Sequence, residues 1–127
     1  TLRDEAQQVD QSLLKGEVTL VNGWGEWCPA CKEEMPQLLA LSERGIQMVG
    51  INYKDARDLG RQFLEEFGKP FEVNIFDPAG DLGFEIGVYG VPETFLVDAD
   101  GIVRYKHVGY ITPAQVDEVM MEVEKWR

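Results

Sequence analysis

Two cysteines stand two residues apart in Trp27-Cys28-Pro29-Ala30-Cys31, and the chain has no others. An apolar run ends just before them at Trp24, and a helix-like pattern begins at Pro29. A C-x-x-C between a strand and a helix reads as a redox dithiol. The chemistry needs that placement. Cys28 falls at the helix N-terminus, with its sulfur toward unpaired backbone N–H groups and the positive end of the dipole. That field favours the thiolate, the nucleophile of thiol–disulfide exchange. Cys31, one turn on, is within reach of a disulfide with Cys28. Pro29 suits the first turn, where its missing N–H has no intrahelical partner to lose.

The remaining composition narrows the class. A chain of 127 residues, 44% hydrophobic, suits one folded domain over 1–127. Its formal net charge of −11 argues against nucleic acid and anionic membrane surfaces as partners. No apolar run approaches the roughly 20 residues of a membrane span. The sequence starts at Thr1, and a leader or anchor lost ahead of it would leave no trace. Two cysteines make no disulfide scaffold. As half of a zinc site they would need about two more ligands, and His107 is the only histidine, on a separate strand.

Along the chain, residues 1–16 read as a poorly ordered or short helical lead-in. Val18 to Trp24 reads as a buried central strand, in which Gly23, with Gly25, marks close backbone approach or a loosened end near the dithiol. Pro29 to about Ser42 has helical spacing, with a kink expected at Pro36. Strands follow at Ile46–Tyr53 and Phe71–Phe76, separated by a helix over Asp55–Phe67 that Gly68-Lys69-Pro70 stops. Residues 79–87 suit a short helix. Thr94–Val97 and Ile102–Val108 flank the hairpin signal Asp98-Ala99-Asp100-Gly101. A helix capped by Thr112, with Pro113 first, closes the chain at Trp126. The order β-α-β-α-β-(α)-β-β-α predicts a mixed α/β sheet flanked by helices.

Several of these residues carry a resemblance. W-C-P-A-C after an apolar strand, Pro36 beyond the second cysteine, and Val91-Pro92 before a later strand resemble the thioredoxin superfamily. G-I-N-Y-K-D (50–55) and G-V-Y-G-V-P-E-T-F-L-V (87–97) are similar to the thiol–disulfide oxidoreductases of bacterial cytochrome c biogenesis, the CcmG/DsbE type. The likeness covers roughly residues 18–110. It implies a thioredoxin-like single domain in the periplasm, tethered to the inner membrane by an N-terminal segment absent from this chain. A membrane thiol-reductant donor of the DsbD/CcdA type would keep it reduced. It would in turn reduce apocytochrome c or the protein that handles it. No cofactor beyond the Cys28–Cys31 dithiol is implied, and no nucleic-acid partner.

The resemblance also assigns roles. Cys28 is the expected nucleophile and Cys31 the resolving thiol, with Cys28 open to a partner's disulfide. Pro92 is expected cis after Val91 and packed against the dithiol, exposing backbone for the substrate. Trp27, Pro29, Ala30, Val91, Pro92 and Glu26 form the expected partner-binding rim. Ordinary thioredoxins carry a buried Asp six residues before the first cysteine. Here that position is Asn22, which cannot titrate. Glu93, directly after Pro92, is therefore expected beneath the dithiol as the proton carrier. Glu26, Glu33 and Glu34 put carboxylates around the dithiol, where they oppose the thiolate and predict a reducing poise. Glu33 and Glu34 are otherwise first-turn helix acids. Lys54-Asp55 belong to the likeness but suggest no chemistry. The competing functions are a general extracytoplasmic reductase of the TlpA/ResA type and a thioredoxin-like module that grips a partner without turnover.

Overall fold

A computed structural model describes residues 16–127. The expected lead-in lies outside them but for Gly16. The elements are β1 (Thr19–Trp24), α1 (Pro29–Ser42), β2 (Gln47–Tyr53), α2 (Arg57–Phe67), β3 (Val73–Asp77), α3 (Asp81–Ile86), β4 (Glu93–Val97), β5 (Val103–Val108), a 3₁₀ turn (Pro113–Gln115) and α4 (Val116–Trp126). The expected order holds. The sheet order is β3-β2-β1-β4-β5. Pairing is parallel between β1, β2 and β3, and antiparallel from β1 to β4 and β4 to β5.

The connections β1-α1-β2 and β2-α2-β3 both step in the same direction. Right-handed crossovers therefore place α1 and α2 on one face, where α4 joins them. The core on this face contains Leu20, Trp24, Cys28, Cys31, Leu38, Phe63, Leu96 and Val119. The other face packs Val21, Val49, Ile51, Phe95 and Val97 against Val88 and α3. Strand β1 is buried along all six residues, which is why its sequence lacks alternation.

Trp24 is a core residue, as its sequence position suggests. It stacks on Phe63 with ring centroids 5.0 Å apart, and its indole N–H donates to Asn74 Oδ1 at 2.8 Å. Gly50 opens the space beside it. A Cβ there would lie 2.6 Å from the Phe71 ring and 2.5 Å from Asn74 Oδ1. Helix α1 begins at Pro29 and runs unbroken through the exposed Pro36 to Ser42. At the hairpin, Asp98 Oδ1 accepts the Asp100 and Ile102 N–H groups at 2.9 and 3.0 Å. Ahead of α4, the Thr112 N–H donates to Gln115 Oε1 at 3.0 Å.

Candidate active site

The dithiol sits where α1 starts. Cys28 is the N-cap residue, with extended backbone (φ −103, ψ 109). Its Sγ accepts the Cys31 N–H at 3.2 Å, so the sulfur occupies the place a capping oxygen normally takes. The turn that delivers it is closed by the Cys28 N–H on the Gly25 carbonyl at 3.2 Å. On its other side, Cys28 Sγ lies 3.8 Å from the Val91 carbonyl. Both sulfurs are free thiols. The expectation that Cys28 is open needs correction. It is only 4% exposed, against 1% for Cys31, and its sulfur lies beside the Val91 carbonyl. Attack therefore requires a partner that slots in beside Val91.

The residues expected at the rim take the following places. The Val91–Pro92 peptide is cis. Val91 and Ala30 are half-buried against the core, Pro92 is buried, Pro29 is exposed and Glu26 is half-buried. Trp27 is 53% exposed, and its indole N–H reaches the Tyr53 carbonyl at 3.4 Å. Gly25 makes room for that ring, since a Cβ there would lie 2.6 Å from Trp27 Nε1. His107 stands apart from the dithiol, with Nε2 3.2 Å from the Tyr110 carbonyl.

Glu93 is buried as expected but does not lie beneath the dithiol. Strand alternation puts it on the Phe95 and Val97 side of β4, the face away from α1. Its Oε1 accepts the Tyr89 N–H at 2.9 Å, and its Oε2 pairs with Lys106 at 3.3 Å. It fastens the Gly87–Gly90 loop ahead of Val91-Pro92. Breaking a buried pair leaves the other charge stranded, but the Lys106 side chain is 32% exposed and can reach water. Glu93→Ala should therefore destabilise the fold by about 2 kcal/mol in urea unfolding. A loss under about 0.5 kcal/mol would show that the loop holds without it.

The carboxylate that does lie beneath the dithiol is Glu34. It sits in the second turn of α1, one turn past Cys31, and is fully buried. It is thus not a solvated first-turn acid, whereas Glu33 is exposed. Its Oε1 accepts from Asn22 Nδ2 at 2.9 Å, and its Oε2 accepts the Ile111 N–H at 2.7 Å. Asn22 also donates to Thr94 Oγ1 at 3.0 Å. Burial pushes the Glu34 pKa up to about 7, against the lowering effect of the Ile111 and Asn22 donors. Burial likewise drives the Cys31 thiol well above its ordinary range, helped by the hydrogen bond to Cys28 and by negative charge on Cys28 and Glu34. The readable signal was spacing. Residues 31, 34, 35, 38 and 41 form one buried stripe, and Glu34 lies inside it.

The arrangement sets the Cys28 sulfur on a backbone donor at the start of α1, favours the neutral thiol at Cys31, and buries a carboxyl group, Glu34, one turn from it. Among the described residues, no group of three or more His, Cys, Asp or Glu side chains is placed to hold a metal ion.

A family model described as Redoxin matches residues 1–120. The thiol:disulfide interchange protein DsbE of Vibrio cholerae is 44% identical over 119 residues, covering 94% of this chain and 65% of that protein. The protein of the same name from Escherichia coli K12 is 46% identical over 106 residues, covering 84% of this chain and 57% of that one. The chain thus spans about three fifths of the length of these curated relatives. A solved structure from Chlorobium tepidum, also carrying the DsbE name, superposes with a TM-score of 0.82 at 28% identity, covering 95% of this chain and 87% of that one. The fold is thioredoxin-like.

Proposed function

The chain belongs to the Redoxin family, and from that premise we propose that it is a thiol–disulfide oxidoreductase acting as a reductant through Cys28 and Cys31. The observation that carries this reading is the Cys28 sulfur at the α1 N-terminus, 3.2 Å from the Cys31 N–H. A thiolate there faces a hydrogen-bond donor and the positive end of the helix dipole.

The reaction runs in two exchanges. The Cys28 thiolate attacks a partner disulfide, forms the mixed disulfide and expels one partner thiolate. Glu34, one turn along α1 from Cys31, then takes the Cys31 proton, and the Cys31 thiolate attacks Cys28 Sγ. The Cys28–partner bond breaks, and the second partner sulfur leaves. Two electrons pass to the partner, and Cys28–Cys31 becomes the disulfide. The half-buried Val91 beside Cys28 supplies a carbonyl edge along which an extended partner segment can lie.

The partner disulfide we propose is that of apocytochrome c or its handling protein, in the periplasm, during cytochrome c maturation. The runs 50–55 and 87–97 support this, as do relatives named for thiol:disulfide interchange. A membrane donor of the DsbD/CcdA type would restore the dithiol. No described helix is long and apolar enough to cross a membrane, so tethering would fall to a segment outside them. The test is direct: the reduced chain is mixed with a disulfide-closed apocytochrome c peptide carrying its haem-binding cysteines. Reduction at least a hundredfold faster than by free thiol at equal concentration is expected, and prior alkylation of Cys28 should abolish it. Equal rates before and after alkylation would rule the function out.

A further inference from the structure

The N-Y-K-D run has chemistry after all. Asp55 lies between β2 and α2 and is 8% exposed. Its Oδ2 accepts the Glu26 N–H at 2.6 Å and Asn52 Nδ2 at 2.8 Å, and its Oδ1 accepts the Ala56 N–H at 2.9 Å. Glu26 is the second residue of the Gly25–Cys28 turn, and that turn's own hydrogen bond, from the Cys28 N–H to the Gly25 carbonyl, leaves the Glu26 N–H to Asp55. A buried carboxylate thus holds the turn that carries the redox sulfur, from a different part of the sheet.

The corner that presents Asp55 is itself fixed. Lys54 has a φ of 49, a left-handed conformation uncommon outside glycine. Its N–H donates to the Asp77 carbonyl at 2.9 Å, where β2 and β3 pair Tyr53 with Asp77. Asp77 in turn accepts the Leu82 and Gly83 N–H groups at 3.1 and 2.8 Å, at the start of α3. The Trp27 indole on the Tyr53 carbonyl makes a second link between corner and turn.

We propose that Asp55 is a positioning residue for the dithiol: by fixing the Glu26 amide it holds the Gly25–Cys28 turn so that Cys28 Sγ stays on the Cys31 N–H at the start of α1. Asp55 touches no sulfur and acts only through the turn. The inference rests on the oxidoreductase reading of Cys28.

Charge and position make opposite demands, which makes the inference testable. A carboxylate acting through its charge alone would oppose the Cys28 thiolate, so its removal would speed Cys28 reactions. A carboxylate acting by position would slow them when lost. The measurement is the alkylation rate of the reduced full chain by iodoacetamide near neutral pH, with the site checked by peptide mapping and the thiolate followed by its ultraviolet absorbance. Asp55→Ala should react about tenfold more slowly, having lost a hydrogen bond to a charged acceptor. Asp55→Glu keeps the charge but displaces the oxygens, and should also react several-fold more slowly. Asp55→Asn keeps an oxygen for the Glu26 N–H and should lose no more than about threefold. Val119→Ala, a core truncation in α4, loses stability elsewhere and should leave the rate within about twofold.

Faster alkylation in both Asp55→Ala and Asp55→Asn would overturn the proposal in favour of a charge effect. Slowing that merely tracks lost stability, as judged by Val119→Ala, would overturn it too. If Asp55→Ala does not fold, Asp55→Glu decides alone: an unchanged rate defeats the inference. Failure of the unaltered chain to exchange disulfides through Cys28 would instead defeat the oxidoreductase reading, whatever the Asp55 variants do.

Discussion

Cys31→Ser is expected to convert the chain into a trap: mixed with a disulfide peptide, it should accumulate a mixed disulfide through Cys28 that outlives the one formed by the unaltered chain about a thousandfold. The two sulfurs are unequal in the fold. Cys28 retains 4% exposure, caps α1 and accepts a backbone N–H, while Cys31 is 1% exposed and its burial favours the neutral thiol. The first attack therefore needs only Cys28 and survives the substitution. The second belongs to a thiol held one turn away, and its advantage over a thiol from solution is proximity. A serine there cannot perform disulfide exchange.

The adduct is read by mass spectrometry without reductant, and mapped to Cys28. Cys28→Ser should give no adduct, because Cys31 is both covered and protonated. An adduct on Cys31 in that variant, or release of reduced peptide by Cys31→Ser at the unaltered rate, would reverse the assignment. A thioredoxin-like module that grips without turnover gives no adduct in any variant.

The fold was legible because its signals are local. Pro29, Thr112-Pro113 and Asp98-Ala99-Asp100-Gly101 mark element ends through chemistry that acts within a few residues. The boundaries that moved did so for tertiary reasons. Phe71, read as the start of a strand, instead packs under Trp24, and β3 begins at Val73. Asp55, read as the start of a helix, spends its carboxylate on Glu26, Asn52 and Ala56, and α2 begins at Arg57. The site divides the same way. The dithiol, its helix and the Val91-Pro92 segment were readable as motifs. The face of Glu93 was not, because all of β4 is buried and no polar alternation marks its two sides. Glu34 was readable in principle. Its spacing from Cys31, Leu38 and Leu41 places it on the apolar stripe of α1, and a charged residue there signals a buried function more strongly than an acid at a strand end.

Glu34→Gln should separate the proton chemistry from the sulfur chemistry. In the folded chain Glu34 titrates near 7 instead of at 4.5, chiefly through burial. Between those values the folded state holds a proton that the unfolded state has released. Stability is then lost as pH rises through this window, with the full effect reached above about 7. The shift corresponds to about 3 kcal/mol. Glutamine cannot titrate, so urea unfolding should find the variant gaining about 3 kcal/mol relative to the unaltered chain between about pH 4 and pH 8. A constant penalty of about 1–2 kcal/mol is expected on top, because the amide NH₂ meets either the Asn22 or the Ile111 donor. Release from the mixed disulfide should slow about a hundredfold and lose its rise around pH 7, since no carboxylate remains to take the Cys31 proton. The first attack by Cys28 should change far less, because Cys28 is held by the Cys31 N–H and not by Glu34. A release rate that keeps its pH profile without Glu34 would move the proton acceptor elsewhere, and a stability difference flat across pH would mean that the buried carboxylate is not the group titrating near 7.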